Sequence, residues 1–424
     1  MDRKRLINIF IIVFIDLLGF GLILPLLPFY ADQYDATPTV IGLLIASNAA
    51  AQLVGAPLLG RLSDRYGRRP LLFFSIFGTL IGFLLLGLAD PLGNAFATLL
   101  GVGTEITNAL ILGFLFLSRI LDGLTGATVS VAQAYITDLT TEENRAQGLG
   151  LIGAAFGIGF IIGPAVGGLL STWGYSVPAF AAAVLAFANL FSIYFWLPES
   201  LTQDRREAIA QNGAPPRITI NALWEALNKP RVGPLFHVRF FYGLAFAIFQ
   251  TVFPLFAQYR LSLDARGTGY ILAYVGVLVA LVQGAAIGPI TKRFNERGLI
   301  FYNTILMAFS LLAWAFTPNV PVLLVILLPT ALAGGILNTV LNSTLTKAVS
   351  MEEVGGTLGL STSIESATRI IAPSLGGYLI GALGAWAPGV LGAAIMGWVV
   401  SFVYRKIYSE KEELVEDKNP SAER

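Results

Sequence analysis

The sequence predicts an all-α integral membrane protein, with twelve transmembrane helices in two six-helix pseudo-symmetric halves. Three observations lead to this fold class: an apolar composition, twelve apolar stretches of membrane-spanning length, and two patterns that occur once in each half. Of the 424 residues, 55% are hydrophobic and 12% are charged, whereas soluble domains carry about 25% charged residues. We therefore expect the chain to cross a lipid bilayer many times.

The predicted helices follow from the length of the apolar stretches. A hydrocarbon core about 30 Å thick is crossed by about 20 helical residues. Stretches of this size lie at Leu6–Tyr30, Val40–Gly60, Leu71–Ala89, Ala109–Tyr135, Gly148–Leu170, Val177–Leu197, Pro234–Gln258, Gly269–Ile290, Leu299–Phe316, Val320–Leu345, Thr357–Leu383 and Trp386–Tyr404. Each is predicted to form one transmembrane helix.

Basic residues predict which side of the membrane each loop faces. With the N-terminus inside, Arg3–Arg5, Arg61–Arg69 and Lys292–Arg297 lie on the inner side, and the outer side keeps only Arg260 and Arg266. Positive residues concentrate on the cytoplasmic side, so we expect both termini in the cytoplasm. The predicted order is an N-terminal half (1–197), a cytoplasmic linker (198–233) with an amphipathic stretch at Ile218–Asn228, a C-terminal half (234–404) and a polar cytoplasmic tail (405–424).

The two halves carry related patterns. Gly60–Pro70 is echoed by Gly288–Gly298, at an offset of 288 − 60 = 228, and Gly163–Gly168 is echoed by Ala372–Gly377, at an offset of 373 − 164 = 209. The offset falls by 228 − 209 = 19, so the first half holds that much extra sequence. The excess maps to Asp90–Asn108, on the predicted outer side. Repeats of this kind are typical of transporters.

A charged cluster separates the second and third predicted helices. Its pattern, G-x-x-x-D-R-x-G-R-R, contains Gly60, Asp64, Arg65, Gly67, Arg68 and Arg69. Such charges are too costly in hydrocarbon, so the cluster must form a short loop. The positive-inside tendency explains the arginines, but it does not explain two glycines and one acid in this frame.

Few ionisable residues lie inside the predicted spans: Asp16 in helix one, Arg119 and Asp122 in helix four, Glu365 and Arg369 in helix eleven. Such residues are functional candidates by default. Burial disfavours the charged form of Asp16, which suits a proton-coupling site. A structural ion pair with Arg119 is the alternative, and Asp122, one turn away, could instead neutralise Arg119. Glu365 and Arg369 have the spacing of an intrahelical pair.

Polar stripes mark further candidates. In helix four, Arg119, Asp122, Gly126, Ser130 and Gln133 would share one face of a continuous helix, which should point to a cavity or another helix. The candidates for a substrate cavity are Asn48, Gln52, Gln133, Gln250, Asn338, Asn342, Glu365 and Arg369. Amides often only join helices, which is the alternative. His237 and Arg239, near the inner end of helix seven, are expected to reach the interface.

Helix five is rich in small residues. Gly159, Gly163, Gly167 and Gly168 permit close helix approach, and Pro164 removes a backbone donor. The pattern fits either ordinary packing or a bendable interface helix that moves during transport.

Other function classes find little support in the sequence. A phosphate loop of the form G-x-x-x-x-G-K-S/T is missing, cysteine is missing, and the chain has 1 histidine. We therefore expect no enzyme activity, no cofactor and no metal site. Nothing indicates a nucleic-acid partner, and nothing demands more than a monomer.

Four motifs between Asp16 and Leu170 carry a resemblance: Asp16-x-x-Gly19-x-Gly21-x-x-x-Pro25-x-x-Pro28, the Gly60–Arg69 loop, Arg119-x-x-x-Gly123-x-x-Gly126-Ala127-Thr128, and Gly159-x-x-x-Gly163-Pro164-x-x-Gly167-Gly168. The chain resembles the drug:proton antiporters of the major facilitator superfamily, in particular the tetracycline-exporter-like branch.

The resemblance implies a function and several residue roles. It implies efflux of a small amphipathic compound or drug in exchange for protons, by alternating access, in the bacterial inner (plasma) membrane. Asp64, with the neighbouring arginines, would latch the two halves, Arg119 would take part in proton coupling, and Gly163 and Pro164 would belong to the interface helix. The second copy of the loop has Lys292 at the position of Asp64.

The sequence also departs from this branch. Tetracycline exporters carry acids in helices three and nine, whereas Leu71–Ala89 and Leu299–Phe316 contain none, which argues against tetracycline as the substrate. One alternative is a proton-coupled uptake carrier for a sugar or an organic anion, in which Arg119 and Arg369 clamp a carboxylate. Another is a receptor or lipid-handling protein that does not transport.

Overall fold

The computed structural model of the chain describes residues 3–201, 232–349 and 354–409. In these ranges every regular element is a helix, which confirms the predicted all-α class. The predicted amphipathic stretch Ile218–Asn228 and the polar tail from Glu410 lie outside the described residues.

Nine α-helices form the part of the chain before residue 201. They are α1 (Arg3–Ile23), α2 (Leu27–Asp32), α3 (Pro38–Tyr66), α4 (Arg68–Gly87), α5 (Ala89–Leu100), α6 (Thr104–Thr125), α7 (Thr128–Leu139), α8 (Glu142–Leu170) and α9 (Ser176–Trp196), with a 3₁₀ turn at Ser171–Trp173. Seven more follow in residues 232–349 and 354–409. They are α10 (Gly233–Leu261), α11 (Ala265–Leu281), α12 (Ile287–Arg293), α13 (Glu296–Ala315), α14 (Val320–Lys347), α15 (Val354–Leu383) and α16 (Ala387–Val403), with π-helical turns at Val282–Ala286 and Tyr404–Tyr408.

Several helices begin at the residues that local chemistry favours. Thr37 accepts a hydrogen bond from the Val40 amide (3.4 Å) before α3, and Asn319 accepts one from Val322 (3.1 Å) before α14. Such side chains satisfy amides that lack an intrahelical partner. Proline occupies an early position in both helices, where its missing N–H costs nothing.

Eleven helical stretches among the described residues are long and apolar enough to cross a membrane. The twelfth predicted span corresponds to α15, a 30-residue helix that carries Glu365 and Arg369 and several hydroxyl groups. These polar residues make α15 less apolar than its neighbours. The predicted twelve-helix architecture is confirmed.

The chain divides into two compact units. Unit 1 is Met1–Pro216 with Pro254–Gly276, and unit 2 is Arg217–Phe253 with Val277–Arg424. Within unit 1, α1 packs along α8, α3 along α6, and α4 along α9; within unit 2, α13 packs against α14 and α16.

The extra sequence predicted at Asp90–Asn108 forms α5 and the first turn of α6. Helix α5 packs back on α6, with the Phe96 and Phe114 rings 5.6 Å apart. Gly93 makes this close approach possible, because a methyl group there would collide with Ile111. The insertion is therefore a short helix held against its neighbour.

Candidate functional site

A buried charge pair lies in the middle of unit 1. Arg119 is 1% exposed and Asp122 is 7% exposed, and a guanidinium nitrogen of Arg119 lies 3.3 Å from Asp122 Oδ2. Both residues are on α6, one turn apart. The structure therefore brings these two predicted residues together, and it pairs them with each other.

Neighbouring helices hold this pair in place. The Asn48 amide, on α3, donates to Asp122 Oδ2 (3.0 Å) and to the Arg119 carbonyl (3.1 Å). The Arg119 guanidinium lies 5.6 Å from the centre of the Phe83 ring, at the distance of a cation–π contact. Arg119 Nη2 is buried and makes no hydrogen bond with any described residue.

Asp16 lies beside this pair. Its carboxyl group, on α1, is close to the Thr128 hydroxyl at the start of α7 and within electrostatic range of Asp122. Over the described part of the chain, the ion pair of Arg119 is with Asp122 and none links it to Asp16. Asp16, Arg119 and Asp122, which we call the unit 1 cluster, thus place two acids and one base close together, with Asp16 half-buried beside the buried pair.

Helix four is broken, contrary to our expectation of one continuous helix. The chain leaves helical geometry at Gly126 and Ala127, between α6 and α7. The Gln52 amide donates to the Gly126 carbonyl (2.9 Å), and the Ser75 hydroxyl contacts both the Thr125 carbonyl and the Ala127 amide. Side chains thus satisfy the freed backbone groups, as a break at membrane depth requires.

The break changes the predicted polar stripe. Asp122 and Arg119 lie on α6, whereas Ser130 and Gln133 lie on the separate helix α7. Gln133 is exposed, while Asn48 and Gln52 use their amide groups to bind backbone and Asp122. The prediction that these residues share one helical face is wrong, because it assumed regular helical hydrogen bonding through Gly126.

The conspicuous loop forms an ion network in unit 1. Helix α3 ends at Tyr66, Gly67 has φ +107°, and α4 begins at Arg68. That φ favours glycine. Arg68 binds Asp64 Oδ1 (2.6 Å) and Asp138 Oδ2 (3.2 Å), and its side chain is 7% exposed. We call these three residues the first-loop network.

A second carboxylate caps the next helix. Glu199 accepts hydrogen bonds from the backbone amides of Arg68 (2.9 Å) and Arg69 (3.1 Å) at the start of α4. A carboxylate at this end satisfies free N–H groups and the helix dipole. Arg65 lies over the Tyr66 ring, and a methyl group at Gly60 would meet open space.

Sequence reasoning missed Asp138 and Glu199. Neither stands near the loop in the sequence, and each follows a predicted span like any other loop acid. Burial of Arg68 is what calls for a carboxylate partner, and the loop pattern does not reveal that burial, so the sequence held no signal for these two acids.

The glycines of α8 face α1 and α11 inside unit 1. A methyl group would lie 2.7 Å from Gly21 Cα at Gly163 and 3.3 Å from Leu17 at Gly159. At Gly167 it would collide with the Leu22 carbonyl, and at Gly168 it would lie 2.9 Å from the Ala265 carbonyl. Pro164 sits inside α8, and its carbonyl contacts Gly269 of α11. These residues allow backbones to approach closely, and their predicted motion stays a prediction.

Unit 2 contains a cavity of about 150 Å³. Its charged and amide lining residues come from α10, the π-helical turn after α11, α14 and α15: Arg239, Gln250, Gln283, Asn338, Glu365 and Arg369. Five of these six residues, all except Gln283, lie on predicted spans seven, ten and eleven. Asn342, one turn beyond Asn338, is not part of the described lining.

We had expected the Arg239 side chain to reach the membrane interface, but it is buried inside unit 2. It is 5% exposed, donates to Asn338 Oδ1 (2.7 Å) and lies 3.4 Å from Glu365 Oε2. In the described chain Glu365 therefore pairs with Arg239 and not with Arg369, the partner that i, i+4 spacing suggested. The sequence misplaced Arg239 because a position near the end of a span favours snorkelling. Its partners Asn338 and Glu365 lie on other helices and are remote in the sequence.

Ionisable groups held inside membrane-helix bundles are typical of transporters, and this fold defines a multi-pass membrane transporter. The chain belongs to the Major Facilitator Superfamily, whose family profile matches residues 9–320 and 235–423.

Individual proteins show the same relationship. The chain is 32% identical over 380 residues to the tetracycline resistance protein, class H, of Pasteurella multocida, with 89% of each chain covered. It is 30% identical over 390 residues to solute carrier family 22 member 18 of Mus musculus, with 92% of each covered.

Solved structures establish the fold. The human organic anion transporter MFSD10 (TETRAN) matches with a TM-score of 0.65 and 21% identity, over 95% of this chain and 99% of that chain. The nucleoside transporter NupG matches with a TM-score of 0.70 and 14% identity, over 95% and 100%.

Proposed function

We propose that this transporter exports a small amphipathic compound in exchange for protons, by alternating access between two six-helix halves. The similarity to tetracycline resistance proteins over most of the chain supports drug efflux. We place the protein in the bacterial inner membrane as a monomer, with both termini in the cytoplasm.

The unit 1 cluster carries the proton-coupling part of this proposal. With all three groups charged, Asp16, Asp122 and Arg119 sum to one negative charge. One proton on Asp16 makes the cluster neutral. An uncompensated charge is costly away from water, so the protonated cluster tolerates a dry environment and the deprotonated cluster favours an open, hydrated one. Proton binding at Asp16 would thus select between conformations.

Asp16→Asn tests this role in everted membrane vesicles. The variant should lose proton-driven uptake of a transported fluorescent dye, screened from cationic ethidium and from anionic fluorescein and 2-naphthoate. It should keep dye exchange without a gradient, because the substrate site is intact. Full proton-driven transport in Asp16→Asn would contradict the assignment.

Asp35→Asn is the matched control. Asp35 lies in the turn between α2 and α3 and has φ +59°, a backbone conformation that asparagine tolerates well. The Asp35→Asn variant should transport as well as the unchanged protein. The direction of coupling is read from the lumen pH of proteoliposomes on substrate addition. Exchange and co-transport carry protons in opposite directions relative to the substrate. A pH change with the sign of co-transport would favour the uptake carrier for a sugar or organic anion.

A further inference from the structure

The cavity in unit 2 has charges that do not cancel. Arg239 and Arg369 supply two positive charges and Glu365 supplies one negative charge among the lining residues. The ion pair uses Glu365 and Arg239, which lie 3.4 Å apart. Arg369 has no carboxylate partner within the described ranges, so the cavity keeps one net positive charge.

Arg239 is fixed and retains unused donor capacity. Asn338 holds one guanidinium nitrogen at 2.7 Å, while the Nε atom is buried without a partner among the described residues. Its side chain is 6% exposed, whereas that of Glu365 is 41% exposed. The arginine is therefore the rigid member of the pair, and Glu365 is the member that faces open space.

The rest of the lining suits the apolar part of a small ligand. Phe246 and Val279 provide apolar surface, and Gln250 and Gln283 provide amide groups. The cavity thus combines polar groups with apolar surface, as small-molecule sites do. A guanidinium forms two parallel hydrogen bonds with a carboxylate, which favours a planar anion over a cation.

We propose that this cavity binds the carboxylate of a monoanionic amphipathic substrate. Arg369 is the main contact for the anion, and Arg239, held by Asn338 and paired with Glu365, is a second guanidinium fixed in the cavity wall. One unneutralised positive charge matches one negative charge. The inference rests on the proposed function in taking the ligand to be the transported compound, but the binding step itself requires no proton gradient.

The test compares 2-naphthoate with 2-naphthamide, which has nearly the same shape and no charge. Calorimetry on the purified full-length protein in detergent gives the affinity ratio of the two probes. We expect a ratio of about ten or more, the size of a charge-assisted hydrogen-bonded contact. Arg369→Gln should bring the ratio close to one, and Arg369→Lys should retain part of it.

Two further variants sharpen the test. Glu365→Gln removes a competing carboxylate and should raise the ratio. Arg293→Gln changes an exposed arginine of unit 2 outside the cavity and should leave the ratio unchanged. Because a ratio is measured, partial loss of folded protein affects both probes equally. A ratio near one in the unchanged protein, no binding of either probe, or an unchanged ratio in Arg369→Gln would overturn the proposal. Charge-selective binding with no proton-driven efflux would instead refute the proposed function alone.

Discussion

Each of the two related loops forms an ion pair with a neighbouring helix end, but the loop supplies the base in unit 1 and the acid in unit 2. In unit 1, Arg68 at the start of α4 binds Asp138 at the end of α7. In unit 2, Glu296 at the start of α13 binds Lys347 at the end of α14, at 2.7 Å. The positions correspond through the repeat offsets, since 296 − 68 = 228 and 347 − 138 = 209. The acid and the base have exchanged places.

The exchange shows that both loops keep an attraction to the neighbouring helix end although the sign of the charge on the loop differs. The surroundings differ as well. The Arg68 side chain is 7% exposed and also binds Asp64, whereas the Lys347 side chain is 68% exposed. Burial raises the cost of breaking an ion pair, so the loop of unit 1 should contribute more to stability.

The largest effect is expected from Arg68→Gln. The variant removes the guanidinium between Asp64 and Asp138, and loss of one partner from a buried pair costs about 3 kcal/mol or more. Unfolding of the purified protein by dodecyl sulfate in mixed micelles, followed by tryptophan fluorescence, measures this loss. Arg65→Gln, which removes an exposed arginine from the same loop, is the control. A change below about 0.5 kcal/mol in Arg68→Gln would place it with ordinary surface substitutions.

Asp64→Asn should have a smaller effect on stability and a clear effect on transport. The Asp64 side chain is 30% exposed, and Arg68 keeps its bond to Asp138, so we expect a loss of about 1 kcal/mol. If Asp64 latches the two halves, the maximal transport rate should fall several-fold at an unchanged half-saturating substrate concentration. Weaker substrate binding at a normal rate of conformational exchange would argue against the latch.

The comparison also separates what the sequence can predict from what it cannot. Span lengths and the cost of buried charge were sufficient to predict the helices and to locate Asp16, Arg119 and Asp122 inside them, because those signals are local, whereas the role of these residues stays a prediction. Gly126 was a weak local signal for the break, but the break also depends on Gln52 and Ser75 of other helices, which the local sequence does not show.

Partners that are remote in sequence explain the remaining misses. The Arg239 side chain is buried because Asn338 and Glu365 bind its guanidinium. The Arg68 side chain is buried because Asp138 binds its guanidinium, while Glu199 accepts from its backbone amide. The repeat offset was the one long-range signal available. It relates Arg68 to Glu296, and the exchange of charge becomes visible only when both ion pairs are known.

Lys347→Gln should have the smallest effect of the three. The pair with Glu296 is exposed on the lysine side, and Glu296 also accepts hydrogen bonds from Ser343 (2.8 Å) and Thr344 (3.2 Å), so the carboxylate stays satisfied. Exposed pairs contribute about 0.5 kcal/mol, and salt should screen that contribution. The same dodecyl sulfate titration, repeated at low and high salt, measures it beside Arg68→Gln. A loss in Lys347→Gln equal to that in Arg68→Gln would mean that burial is not what distinguishes the two loops, and that the attraction itself holds each loop to its helix end.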